Sequence, residues 1–180
     1  MPLELAQIQD ALNRLGRPVI ALDKILAIVH EELPAALTGL GFPDRCLPRG
    51  YHYAGEVDIE KEGWPKIIVG GSFIATEFGM GHMDENELGI TVGYAPNITR
   101  REFQESLDIA TVVRGILYVP TYRANVRDAE DPTVLYWQTI QPTGYTMVPR
   151  DFRFYAGWTA RFVLRQTPGS NLWTSLSLPS

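Results

Sequence analysis

One cysteine, Cys46, stands among the 180 residues of this chain. No disulfide can therefore form within it, and no second thiol is available for a zinc site; both facts suit a reducing compartment or a particle assembled in one. The plain expectation for Cys46 is a small, half-buried packing residue. Histidine is scarce as well. His30, His52 and His82 lie far apart and fit no zinc-binding spacing, and His30-Glu31-Glu32 lacks the second histidine four residues on that a helical metalloprotease site requires. Gly70-Gly71-Ser72 and Gly79-Met80-Gly81-His82 lack the lysine of a phosphate-binding loop and read as turns. No apolar run approaches the roughly 18 residues that span a bilayer. The Met-Pro-Leu-Glu-Leu start lacks the basic segment and apolar core of a secretory signal, so a soluble intracellular product without a membrane partner is expected. Basic charge is also short: 16 Lys and Arg face 21 Asp and Glu, for a net charge of −5. A broad or sequence-specific nucleic-acid footprint is disfavoured, because phosphate binding needs clustered cations.

What is present is an ordinary globular composition, 45% hydrophobic and 21% charged. The length suits one domain over residues 1–168, with residues 169–180 as a carboxy-terminal interaction tail. Leu5, Ile8, Leu12 and Leu15 mark one face of a short helix stopped by Gly16 and Pro18. Leu22, Ile25, Leu26, Val29 and Leu33 predict a second helix, which Pro34 should end or kink. A loop is expected over 38–49. Tyr51, Tyr53, Val57 and Ile59 alternate with polar residues and suggest an exposed strand or arm over 50–62.

Lys66 and the run Ile67-Ile68-Val69 suit a strand buried on both faces, extended over 73–78 after a bulge or turn at Gly70-Gly71. The Gly-rich, acidic stretch 79–87 reads as a connection in which Asp84, Glu85 and Glu87 form a solvated loop rather than a calcium site. Leu88, Ile90, Val92 and Tyr94 then alternate with small residues in a half-buried strand. Thr99 and Glu102 supply a capping box for a helix carrying Phe103, Leu107, Ala110, Val113 and Leu117 on one face. Residues 121–132 read as a polar connection, 134–140 as a strand, and Gln141-Pro-Thr-Gly144 as a turn. Ala156, Trp158, Ala160, Phe162 and Leu164 close the domain in a second half-buried strand. The resulting fold class is α+β: a mixed or antiparallel sheet of about four main strands flanked by helices, in the order α-α-β-β-α-β-β, with the helices on one face.

The last third is rich in aromatics and arginines. Successive side chains on a strand point to opposite faces, so not every aromatic there can enter the core, and Tyr and Trp left on a surface anchor interfaces. The interface candidates are Leu172, Trp173 and Leu176 of the tail, Arg123 and Arg127, and Tyr51 and Tyr53. No catalytic, cofactor-binding or metal-ligating residue is assigned. A small soluble enzyme would have to use His52, His82 and Asp84.

The helix LDKILAIVHEEL (22–33), the strand near KIIV (66–69), the strand near GITV (89–92), the capped helix 99–117 and two closing strands together resemble the tail terminator and neck proteins of long-tailed bacteriophages. The resemblance covers about residues 20–166 and is one of element order. It implies a small α+β subunit assembling as a homo-oligomeric ring, usually a hexamer, in the neck of the virion and put together in the host cytoplasm. Such a ring caps the tail tube and joins it to the head connector, with the genome passing through it, and no catalytic residue carries over. The extra helix at residues 3–15, the 51–62 segment and the Trp173 tail depart from the pattern, which leaves another head-tail connector or minor tail protein as the alternative.

Overall fold

The computed structural model describes residues 18–54, 63–73, 84–132, 135–148 and 154–166. Its first helix, α1 (Pro18–Gly39), presents Ile25, Val29, Leu33 and Leu37 as one fully buried ridge. Pro34 lies inside α1 instead of ending it. The missing backbone donor is a local cost, which burial of Leu33 before it and Leu37 after it overrides, and Thr38 Oγ1 donates to the Pro34 carbonyl at 2.9 Å. A 3-10 turn at Asp44–Cys46 interrupts the connection to β1 (Gly50–Tyr53). Then follow β2 (Lys66–Phe73), β3 (Asp84–Tyr94), helix α2 (Arg100–Tyr118), the single turn α3 (Pro120–Arg123), β4 (Ala124–Arg127), β5 (Leu135–Val148) and β6 (Ala156–Gln166).

The strands form one sheet in the order β1-β2-β3-β6-β5-β4. β1 runs parallel to β2 and every other pair is antiparallel, so the sheet is mixed. The class is α+β as expected, but the described residues hold six strands rather than four. The two further strands are the short edges β1 and β4, and four local departures from the expected elements go with them. β3 begins at Asp84, within the stretch expected as a connection. β2 passes through Gly70-Gly71 in unbroken register, Gly70 opposite Gly89 and Gly71 opposite Leu88. The polar stretch after α2 contains both α3 and β4. Gln141 to Gly144 is no turn: β5 continues through it with a register shift between Pro142 and Gly144. β4 pairs with β5 only as far as Thr139, so Pro142 stands where its missing amide costs no ladder bond on that side.

Register sets the two faces. Opposite pairs such as Ile67 with Val92, Val69 with Ile90 and Leu88 with Phe162 put the apolar positions on one side, where they form a single core with Ile25, Leu33, Ile109, Val113 and Leu117 of the helices. α2 packs on β3 and β6, and α1 reaches β1, β2 and β5 of the curled sheet. One hydroxyl fastens α2 to the sheet. Ser106 Oγ donates to the Val92 carbonyl at 2.7 Å and accepts from the Trp158 amide at 2.9 Å, two groups that oppose each other in the β3–β6 register. Gly157 beside them has φ +152°, and a Cβ there would lie 2.1 Å from the Val92 oxygen.

The expected helix over 3–15, His82 and the tail 169–180 lie outside the described residues.

Candidate interface surfaces

The interface candidates within the described residues fall into two groups. Tyr51 and Tyr53 belong to β1, opposite Ile67 and Val69 in the register, which turns both toward the helical side. They are half-buried and hold α1 against the sheet. Tyr53 Oη donates to Asp23 Oδ1 at 2.5 Å. The Tyr51 ring stands edge-on to His30 with centroids 4.6 Å apart, and burial pushes its hydroxyl pKa up to about 12. Beside them a depression of about 690 Å³ is lined by Asp23, Leu26, Ala27, His30, Glu31 and Tyr51.

The second group lies at α3 and β4. The Arg123 guanidinium stacks over the Tyr118 ring at 5.3 Å, and Arg127 donates to the Pro132 carbonyl at 2.9 Å. Tyr122 Oη donates to Glu32 Oε1 at 2.6 Å, tying α3 to α1; that bond, ahead of burial, lifts the phenol to about 12. Asp128 accepts from the Tyr136 hydroxyl at 2.5 Å and from the Glu130 and Asp131 amides at 2.8 and 2.9 Å. Those bonds, the phenol's first, hold its carboxyl below the usual range.

Next to this group runs a groove that the sequence reading missed. Thr111, Arg114, Gly115 and Tyr118 of α2 face Gln141, Pro142 and Tyr145 of β5 across about 470 Å³. Arg114 lies over the Tyr145 ring at 5.0 Å, and the Tyr145 hydroxyl bonds Thr111 Oγ1 at 3.1 Å. Tyr118, 50% exposed, leaves apolar surface open here, and Met147 further along β5 is 47% exposed. A signal was available: Thr111, Arg114 and Tyr118 recur at three and four residues, one stripe round from the buried ridge.

The other face of the sheet is polar. Glu85 pairs with Arg165 at 2.6 Å and Glu87 with Arg161 at 2.5 Å, while the Thr91 and Thr159 hydroxyls bond at 2.7 Å. The acidic run expected as a solvated loop is thus strand, with Glu85 and Glu87 neutralised by arginines of the neighbouring β6. A shallow depression of about 350 Å³ runs over Gly70 and Gly89. Near the start of α2, Glu105 receives Arg45 at 2.6 Å and Arg101 at 2.9 Å. Burial opposes its ionisation, but the two guanidiniums outweigh it and hold the carboxyl below the usual range. Cys46 is fully buried, and burial raises its thiol pKa.

His52 stands opposite Ile68 in β1 and Asp84 opens β3 at the far side of β2. Among the described residues no group of three or more His, Cys, Asp or Glu is placed to hold a metal ion. No helix among them is long and apolar enough to cross a membrane. Comparison of the chain with protein-family models and with curated proteins finds no match.

Proposed function

We propose that this chain is the structural subunit of a hexameric ring at the head–tail junction of a long-tailed bacteriophage, where the ring terminates the tail tube and joins it to the head connector. The observation that carries the reading is the plan of the subunit. A leading helix, paired strands, a capped helix and closing strands build one sheet with both long helices on the same face, in the element order that the resemblance rests on. The surface favours the same reading. A head-to-tail ring contact requires two different patches on each subunit, and the surface offers two unlike ones: Asp23 and Glu31 line the depression beside Tyr51, while Arg114 lines the groove between α2 and β5 with Arg123 stacked on its Tyr118. The ring's two ends would meet the tail tube protein and the head connector.

Size-exclusion chromatography with light scattering, followed by negative-stain imaging of the full chain, tests it. The expected result is closed rings with a mass near six times 20.2 kDa. A monomer at every concentration, with no rings in the images and none on purified tail tubes, overturns the proposal.

A further inference from the structure

We infer that the carboxy-terminal tail of one copy adds as an extra strand to the outer edge of β5 in the next copy. This rests on the ring-forming reading above and names the contact that would build the ring. The receiving edge is set by the strand order. β5 has β6 on one side, and on the other β4 stops at Thr139. Residues 143–148 therefore have no strand partner on that side among the described residues. The other two edges are poorer templates: β1 and β4 offer four residues each, and Asn125 at φ +54° breaks the extended conformation of β4. Native sheets usually protect an open edge. Here Pro142 and the bulge before Gly144 interrupt the near part, and the far part, with its exposed Met147, has no such device among the described residues.

The occupant is argued from the sequence of the tail and its starting point. From Thr174 on, Leu176 and Leu178 alternate with Ser175 and Ser177, and Leu172 falls on the leucine side with Trp173 opposite it, the two-residue period of a strand with a leucine-bearing face. Backbone pairing would give such a strand its affinity and alternate pockets its specificity, as in peptide recognition by added strands. The apolar side has a counterpart: the groove of about 470 Å³ between α2 and β5, with Tyr118 exposed along it. The Ser175 and Ser177 side then shares the sheet face that carries Thr146. Reach is sufficient. β6 ends at Gln166, whose amide donates to the Tyr136 carbonyl at 2.8 Å, and the 14 residues 167–180 extend at most about 46–50 Å from there. That span can clear β4 and α3 and arrive on a neighbour. A contact from tail to edge is heterologous, and its repetition gives a ring where the rotation closes and an open filament where it does not.

Engineered disulfides decide it. Adjacent strands hold opposed Cα atoms about 4.5–5.5 Å apart, within disulfide range, and Cys46 is fully buried, hence silent. The Thr146→Cys protein is mixed with Ser175→Cys or Ser177→Cys protein and oxidised. The expected product from one of the two mixtures is a covalent dimer that neither partner gives alone, and Thr146→Cys combined with that tail cysteine in one chain should give a ladder of cross-linked oligomers. Removing residues 169–180 should reduce the native oligomer to monomer without changing circular dichroism. A double variant that yields only a cross-linked monomer shows the tail on its own edge and overturns the inference, as does absence of any cross-link while the native chain forms rings. A native chain that never oligomerises overturns the ring reading itself.

Discussion

Ser106 is a small polar residue wholly inside an apolar core, and its hydroxyl has two duties: it donates to the Val92 carbonyl and accepts from the Trp158 amide. Ser106→Ala removes both bonds and leaves two buried backbone groups facing a methyl group, so a loss of about 1–3 kcal/mol is expected in denaturant titrations. A change within about 0.5 kcal/mol, the range of an ordinary surface substitution, would mean that the two strands close on each other once the hydroxyl is gone. Gly157 sits under the same junction. An alanine there would take on the unfavourable φ of +152° and place its Cβ 2.1 Å from the Val92 oxygen and 2.7 Å from Ser106 Oγ. Because the obstacle is backbone, the strands must part, and Gly157→Ala should cost more than Ser106→Ala. Equal melting temperatures for Gly157→Ala and the native chain would refute the reading.

Helix α2 opens on a reciprocal cap. Glu102 N donates to Thr99 Oγ1 at 3.2 Å while Thr99 N donates to Glu102 Oε2 at 2.8 Å. Thr99→Ala should cost about 1 kcal/mol, and Glu102→Ala combined with it should add less than its separate cost, since the two side chains form one unit; full additivity in a double-mutant cycle would dissolve the box into independent contacts. This cap was legible in the sequence because its partners are three residues apart, and the alternation of β3 was legible for the same local reason. Elements that depend on distant residues were not. The acidic start of β3 reads as loop until Arg161 and Arg165 arrive from 74 and 80 residues away. Pro142 and Gly144 carry the same local signal in a turn and in an edge bulge, and only the early end of β4 decides between them. β4 itself has four residues and one in a left-handed conformation, too little for any period. Of the interface candidates, Tyr51, Tyr53, Arg123 and Arg127 stand out by residue type, whereas the groove beside Tyr118 is made by α2 meeting β5, and its one local trace is the stripe Thr111, Arg114 and Tyr118 on α2.

At the scale of the molecule, bonds of large sequence separation hold the curled sheet around its helices. α1 binds at both ends of the strand order: Asp23 accepts from Tyr53 of β1, the adjacent Lys24 lies 5.4 Å over the Tyr136 ring of β5, and Glu32 accepts from Tyr122. Arg45, in the turn after α1, reaches Glu105 of α2 across 60 positions of sequence. Several of these acceptors are carboxylates, which links the assembly of the fold to pH. Glu105 and Asp128 both have folded-state pKa values below their ordinary values of 4.5 and 3.8. A depressed folded value means that the unfolded chain takes up protons first as pH falls. The stabilisation from these two groups is therefore complete above those ordinary values and is lost progressively as pH falls below them and through the lower folded ones. Melting temperature should stay level with respect to both groups from pH 7 to about 5 and decline below about 4.5. Glu105→Gln keeps the shape but has no charge to lose, so its melting temperature should start lower at pH 7 and fall less steeply in acid, the two curves converging at the acidic end. Coincident curves for the native chain and Glu105→Gln would show that the charge at the Arg45–Glu105–Arg101 cluster contributes nothing to folding.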